Sequence, residues 1–205
     1  MSTMPPQKPG LSKQDYHTPK AFLAAVKRRW GIDQFAHDFA ADASNTVATH
    51  FWDEQDDSLS KSPDSWAMAI WRTGMVNPWG WLNPPFGNIA PWASLAMQTG
   101  QLGGRLFLLV PAGIGANWYR DWVDGYAHVL ALNGRLCFID EWATTVDPSR
   151  LKRAQASAAA AGCPDALIDP ATVLYLAPPL YPKDTILCVY GLGVRGGFET
   201  WTWHD

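Results

Sequence analysis

The chain has 205 residues and a formal net charge of −3, with 47% hydrophobic and 17% charged residues. This length and composition are typical of a globular domain with a full core, and they exclude an intrinsically disordered chain. The slightly acidic balance gives no overall basic field, so a nucleic acid would have to meet a local basic patch.

The cysteines and the N-terminus indicate a cellular compartment. The three cysteines are Cys137, Cys163 and Cys188, and they have neither metal-ligand spacing nor the even number of a disulfide framework. No charged segment followed by an apolar run opens the chain, and it has no apolar stretch of about 18 residues. We therefore expect free thiols and a soluble protein of a reducing cytoplasm, with no membrane contact and no metal.

The first third of the chain contains a leader, a helix and one strand. Residues 1–15 are polar with three prolines and are predicted to be a disordered leader. Thr18 and Pro19 are typical of a helix start, as N-cap and first helical residue, and Gly31 is predicted to end this helix. A short strand is predicted over 32–39, and residues 46–80 are predicted to be irregular.

Helices alternate with buried strands in the rest of the chain. The pair Asn133-Gly134 is a turn signal, and the glycine-rich stretch 191–197 is interpreted as a flexible tail behind the last strand. The predicted elements are helices at 91–97, 118–126 and 151–161, and strands at 105–110, 128–132, 135–139 and 186–190.

This alternation predicts an α/β fold with a mostly parallel sheet flanked by helices. Residues 16–205 are expected to form a single domain, with insertions near 46–80 and 141–185. Ligands of such sheets bind at the carboxyl ends of the strands. Most of the twelve tryptophans are expected to lie in the core, including the group Trp66, Trp71, Trp79 and Trp81.

The segment Asn83-Pro84-Pro85-Phe86 follows the apolar run Gly80-Trp81-Leu82. Two prolines hold the backbone extended and leave carbonyl groups free as acceptors, while Asn83 adds a side-chain oxygen and Phe86 a flat ring face. Such a pocket suits a planar ring with an exocyclic amine. Acceptors at the amine hydrogens would stabilise the positive charge that develops when the nitrogen is methylated.

Several further segments occur in a fixed order around this motif. They are His17-Thr18-Pro19, Asp38-Phe39-Ala40-Ala41-Asp42 with Asn45, Asp57-Ser58-Leu59 with Trp66, Ile89 with Trp92, Leu109-Val110-Pro111-Ala112 with Trp118, and Gly134-Arg135-Leu136-Cys137-Phe138-Ile139. Their order and spacing resemble the small bacteriophage-type DNA N6-adenine methyltransferases. The resemblance covers roughly residues 15–140 and the final predicted strand.

The resemblance implies a Rossmann-like methyltransferase fold, S-adenosylmethionine as cofactor and DNA as substrate. It makes Asn83, Pro84, Pro85 and Phe86 the catalytic residues, with Asn83 also close to the cofactor. It implies a cytoplasmic protein, in the host cytoplasm if the gene belongs to a phage. The sequence indicates no oligomeric state.

The cofactor residues implied by the resemblance lie in three segments. Thr18 and Pro19 would line the methionine end, and Asp57 would accept a hydrogen bond from the adenine amino group. Asp38-Phe39-Ala40-Ala41-Asp42 replaces the usual glycine-rich cofactor motif, with Asp38 or Asp42 accepting from the ammonium or ribose hydroxyl groups. Asp42 as a helix N-cap and Asp57 as a solvated charge are the competing interpretations.

An adenine in duplex DNA would have to be flipped out of the stack, and Phe86 would then stack on it. Residues that could meet DNA phosphates are Arg72, Arg120, Arg150, Lys152 and Arg153. His17, His37, His50 and His128 lack metal spacing and are expected to be structural. Two alternatives remain open: an amine methyltransferase for a protein glutamine or a small molecule, and a non-catalytic DNA-binding protein on this fold.

Overall fold

A computed structural model describes residues 18–136 and 183–204. The chain divides into two compact units, and the one formed by Lys20–Arg135 and Pro182–Asp205 holds the sheet. The other unit, Met1–Pro19 with Leu136–Tyr181, lies almost wholly outside the described residues. The predicted leader, the helix at 151–161 and all but the last three residues of the insertion at 141–185 therefore lie outside the described residues, and the single-domain organisation stays a prediction.

The described elements alternate along the chain, as predicted. The helices are α1 (Lys20–Trp30), a 3-10 helix (Ser58–Ser60), α2 (Pro63–Trp71), α3 (Ala90–Gln101) and α4 (Asn117–Trp122). The strands are β1 (His37–Asp38), β2 (Gly80–Leu82), β3 (Leu106–Pro111), β4 (His128–Asn133), β5 (Thr185–Tyr190) and β6 (Gly197–Thr202).

The six strands form one mixed sheet in the order β1-β2-β3-β5-β4-β6. β1, β2 and β3 run parallel, as do β4 and β6, whereas β5 is antiparallel to both β3 and β4. Five strands therefore point the same way. This mostly parallel sheet flanked by helices confirms the predicted α/β class and is that of a Rossmann-like methyltransferase fold.

The two faces of the sheet are covered by different side chains. Aromatic rings fill the α1 face, where Phe22 meets Trp81 and Trp30 meets Phe107 at centroid distances of 6.5 and 4.9 Å. The opposite face packs on α2, α3 and α4 through largely aliphatic residues such as Leu82, Leu108 and Val110. Helices on both faces bury the central strands of the sheet, which explains why β3 is continuously apolar and β5 nearly so.

Tryptophan and cysteine burial follows from this layering. Trp66, Trp79 and Trp81 lie in the core as predicted, but Trp71 is 47% exposed. Cys188 is a free and fully buried cysteine on the central strand β5, and burial raises the pKa of its thiol. Cys137 and Cys163 lie outside the described residues.

Two predictions that concern the edge strands of the sheet differ from the structure. The strand expected over 32–39 is only His37–Asp38, with one isolated bridge at Phe35. The stretch 191–197 is no tail, because it turns into β6, which pairs with β4 along its whole length. Gly197 donates its N–H to Ala127, which fixes this turn to the start of β4.

The helices also differ from the prediction. α3 continues to Gln101, beyond the predicted end at residue 97. Residues 46–80 are not irregular throughout, since they contain the 3-10 helix and α2. Ser62 caps α2 by accepting a hydrogen bond from the Ser65 N–H, and Pro63 stands in its first turn. α4 is shorter than the predicted 118–126, ending at Trp122. At the predicted Asn133-Gly134 turn, β4 ends at Asn133 and Gly134 has φ +96°, while the strand expected beyond it falls largely outside the described residues.

Candidate active site

The candidate site lies at the carboxyl ends of β1 and β2, which are neighbours in the sheet. β1 ends at Asp38 and β2 at Leu82, and Asp38 pairs with Trp81. The Phe39 N–H donates to the Trp81 carbonyl at 3.0 Å, so the loops that leave the two strands begin side by side. The sheet thus brings the segment from Asp38 to Asp42 next to Asn83-Pro84-Pro85-Phe86, although 45 residues or so separate them in sequence.

Asp38 organises the loop that follows β1. Its side chain is 3% exposed, and its two carboxyl oxygens accept hydrogen bonds from the Ala40 and Val47 N–H groups at 3.3 and 3.1 Å. Burial raises the pKa of this carboxyl group to about 6, against the effect of these two hydrogen bonds and with a smaller contribution from Asp42. Both oxygens therefore face inward, toward the protein backbone.

Asp42 closes a turn rather than starting a helix. Its carboxylate accepts hydrogen bonds from the N–H and hydroxyl groups of Ser44, both at 2.6 Å, and from the Asn45 N–H at 3.2 Å. Asn45 returns the contact by accepting from the Asp42 N–H at 2.8 Å. The interpretation of Asp42 as a helix N-cap was wrong, because a turn and not a helix follows it. Its carboxylate accepts hydrogen bonds from the backbone of that turn in the way that an aspartate N-cap does at a helix.

Phe39 and Gly80 lock the two strands together beneath the loops. Phe39 is fully buried and stacks on Trp66, with ring centroids 4.2 Å apart and planes 3° from parallel. A Cβ atom on Gly80 would lie 2.6 Å from the Phe39 ring and 3.2 Å from Ile70. Only a glycine leaves room for the Phe39 ring at this position, so the packing beneath the two loops requires glycine at residue 80.

The residues of the segment after β2 differ in their exposure to solvent. Pro84 is buried, Asn83 and Phe86 are half-buried, and Pro85 is exposed. Phe86, Ile89 and Trp92 are partly buried and pack against the core cluster. The segment begins directly beside the loop after β1, and its catalytic role stays a prediction.

Asp57 lies in a separate acidic loop, over 53–57. In this loop Asp53 accepts from the N–H groups of Gln55 and Asp56, and Asp56 accepts from the Asp53 N–H at 3.1 Å. Asp57 is exposed, and within the described part of the chain its carboxylate accepts no hydrogen bond. Of the predicted cofactor carboxylates Asp38, Asp42 and Asp57, it is the one not engaged by its own loop.

His37 lies in the same region and is predicted from the sequence to be structural. It is 5% exposed, and its ring lies 4.7 Å from the rings of both Phe39 and Trp52. Burial lowers the pKa of His37 to about 4, and His50 lowers it further, against a smaller opposite effect of Asp56. The imidazole is therefore neutral at pH 7 and behaves as an aromatic core residue, which its short strand of mixed residues did not signal.

The remaining predicted residues directly precede α1, lie on the surface or fall outside the described chain. Thr18 and Pro19 directly precede α1, so their contact with the cofactor stays a prediction. Arg72 and Arg120 are exposed, and Arg120 pairs with Asp121 at 2.7 Å. Arg150, Lys152, Arg153 and His17 fall outside the described residues.

The described residues contain neither a cluster that could bind a metal ion nor a helix that could span a membrane. Within residues 18–136 and 183–204, no group of three or more acidic, histidine or cysteine side chains could hold a metal ion. In the same part of the chain, no helix has the length and apolar character needed to span a bilayer.

The order of the strands, with helices on both faces of the sheet, is that of a Rossmann-like methyltransferase fold. Comparison with protein families gives the particular family: residues 7–157 match that of DNA N-6-adenine-methyltransferase (Dam). Because the match covers more than half of the chain, the protein belongs to this family. No curated protein and no solved structure matches the chain. Membership implies DNA as substrate and a methyl donor of the S-adenosylmethionine type.

Proposed function

We propose that this protein transfers a methyl group from S-adenosylmethionine to the N6 amine of adenine in DNA, with Asn83-Pro84-Pro85-Phe86 as the pocket for the flipped base. The observation that carries the proposal is the position of this segment beside the loop after β1, joined through the Phe39 to Trp81 hydrogen bond. Family membership supports the reaction class.

The carboxyl edge fits the methyl donor in shape and charge. The donor is a nucleoside with an ammonium group, hydroxyl groups and an exocyclic amine, all of which are hydrogen-bond donors. Exposed Asp57 offers them an acceptor, and the small, half-buried Ala40 leaves the backbone approachable. Asp38 and Asp42 contribute by holding the shape of the loop, and Phe39 fixes it from below. When bound, the donor supplies an activated methyl group on a sulfonium sulfur.

The residues of the motif act on the amine of the flipped base. The Asn83 side-chain oxygen and the Pro84 carbonyl accept hydrogen bonds from the two N6 hydrogens, and Phe86 stacks on the ring. The bound donor would supply the methyl group as its sulfur–carbon bond breaks, and positive charge would develop on N6 as its lone pair bonds the methyl carbon. The two acceptors stabilise this charge, and one N6 proton then leaves to solvent. The products are N6-methyladenine and S-adenosylhomocysteine.

The test is incubation of the purified protein with unmethylated DNA and S-adenosylmethionine, followed by digestion to nucleosides and mass spectrometry. We expect N6-methyladenine from the wild type and a rate lower by about 100-fold or more in Asn83→Ala. One preorganised hydrogen-bond partner of a charge that develops in the transition state contributes about that much. Asn133→Ala is the matched control, because this exposed asparagine bonds only Thr202 at the far side of the sheet.

The other outcomes separate the alternatives. Cofactor turnover on a protein or a small amine, with no methylated base in DNA, would show that the acceptor is a glutamine or another amine. DNA binding without any cofactor consumption, unchanged by Asn83→Ala, would show a non-catalytic DNA-binding protein. Comparing duplex DNA with a duplex in which the target adenine is mispaired tests base flipping, because a mispaired base costs less to extrude.

A further inference from the structure

Asp57 has an unusual backbone conformation. It has φ +46° and is the one non-glycine residue with positive φ in the described chain. This left-handed conformation is disfavoured for residues with a Cβ atom, so it persists only where neighbouring contacts hold it. At Asp57 the backbone carbonyl accepts from both the N–H and the hydroxyl group of Ser60, at 3.0 and 2.7 Å. The side chain itself takes no part in this turn.

The next residue, Ser58, ties this turn to the loop after β1. Ser58 is 5% exposed, and its hydroxyl donates to the Phe39 carbonyl at 2.6 Å. The Ser58 carbonyl in turn accepts from the Trp66 indole N–H at 3.1 Å. Since Trp66 stacks on Phe39, the three residues form a closed, buried bridge between the acidic loop and the loop after β1.

The bridge fixes one carboxylate at the edge of the site. Asp53 and Asp56 are occupied by the backbone of their own turn, as described above, whereas Asp57 is exposed and directly precedes Ser58. A strained backbone, a buried hydroxyl that holds it and an exposed acceptor are three independent observations.

We propose that Ser58 is a positioning residue, which holds the Asp57 carboxylate where it accepts hydrogen bonds from an amino or hydroxyl group of the nucleoside part of the methyl donor. The inference rests on the proposed function. It predicts that Ser58 and Asp57 act as one unit in binding the donor and have no part in the transfer step.

The experiment compares Ser58→Ala, Ser58→Thr, Asp57→Asn and the double variant S58A/D57N in the full chain. The equilibrium Kd for S-adenosylhomocysteine is measured by calorimetry, and kcat and KM for S-adenosylmethionine are measured with saturating DNA. Ser65→Ala is the matched control, since Ser65 is exposed and its hydroxyl contacts only Ser62.

We expect Ser58→Ala and Asp57→Asn each to raise Kd and KM about tenfold with kcat nearly unchanged, as for one lost hydrogen bond to a charged group. The double variant should lose little more than either single one, because both changes remove the same contact. Ser58→Thr keeps the hydroxyl and should stay near the wild type. A fall in kcat as large as the rise in KM for S-adenosylmethionine, or additive effects in the double variant, would overturn the positioning role.

Asp57→Gly keeps the test valid if Ser58→Ala does not fold. Glycine adopts positive φ without strain, so this variant should fold while it loses donor affinity as Asp57→Asn does. Wild-type affinity in Asp57→Gly would overturn the inference. If the wild type methylates DNA and these variants do so equally well, only this inference fails. If the wild type binds no donor, the proposed function fails with it.

Discussion

The loop after β1 and the acidic loop at 53–57 use the same residue type in opposite ways. In the first, Asp38 and Asp42 turn their carboxylates toward backbone N–H groups. In the second, Asp57 presents its carboxylate to solvent and carries the strain in its backbone. An aspartate near the candidate site can thus either hold the shape of its own loop or keep its carboxylate exposed, where it is available to a ligand. Changes in the first loop should therefore reduce stability, and changes at Asp57 should reduce binding.

The largest effect on stability is expected beneath the first loop. Gly80→Ala places a methyl group 2.6 Å from the Phe39 ring and should destabilise the protein by about 3 kcal/mol, the upper end for overpacking a core. Gly115→Ala is the matched control, because nothing lies within 4 Å of that added atom. Urea unfolding of both variants measures the difference. Equal stability of the two would show that Phe39 moves away freely.

A smaller effect is expected from Asp38→Asn. The amide can accept from only one of the two N–H groups that the carboxylate satisfies, so one buried donor loses its partner at a cost of about 1–3 kcal/mol. Calorimetric unfolding at pH 7 measures this loss. A variant as stable as the wild type would contradict the assignment of Asp38 as the residue that holds the loop.

The pH dependence of stability gives a second readout of Asp38. Because burial raises the pKa of Asp38 to about 6, the folded state holds more protons than the unfolded one between about pH 4 and 6. Asp38 therefore makes the free energy of unfolding fall as pH rises through this window. His37 acts in the opposite sense: its pKa is lowered to about 4, so its contribution rises with pH from about 4 to 6.5.

Asp38→Asn separates the two neighbours. Without the Asp38 titration, the stability of the variant should rise more steeply with pH from 4 to 6 than that of the wild type, by about 2 kcal/mol over the window. Chemical unfolding at several pH values measures both slopes. Parallel profiles for the two proteins would mean that Asp38 ionises normally in the fold.

The smallest effect on stability is expected at Asp57. Asp57→Gly relieves the left-handed backbone but frees the unfolded chain, so the net change should stay within about 0.5 kcal/mol. Thermal unfolding of the variant checks this value, beside Asp42→Ala, which should lose about 1 kcal/mol with its turn contacts. A large loss at Asp57 would remove the contrast between the two loops.

Much of the fold could be predicted from the sequence, because buried central strands are long apolar runs. β3, β4 and β5 were found within about one residue of their observed bounds. The edge strands carry weaker signals: β1 has only two residues, and β6 is largely exposed and mixed in composition. α2 was missed although Ser62-Pro63 is a helix start, because the acidic residues and glycines around it indicated a loop.

Part of the candidate site could also be predicted from the sequence, and part could not. The sequence could place Asn83, Phe86 and Asp38 at strand ends, since turn residues after apolar runs mark them. The resemblance singles out Asp57, but the residues alone could not distinguish it from Asp53 and Asp56, because all three are acidic residues of one short loop. The hydrogen bonds that differ between these carboxylates, and the bridge from Ser58 to Phe39 and Trp66, form only in the folded chain.

Cys188 offers a built-in reporter of opening of the sheet. Its thiol lies at the centre of β5, between β3 and β4, and is wholly inaccessible to solvent. The raised pKa keeps it protonated and therefore unreactive toward alkylating reagents while the fold is intact. Cys188 belongs to the core cluster beneath the helices, so a reagent reaches its thiol only when this packing opens, and the rate of labelling at Cys188 follows that opening.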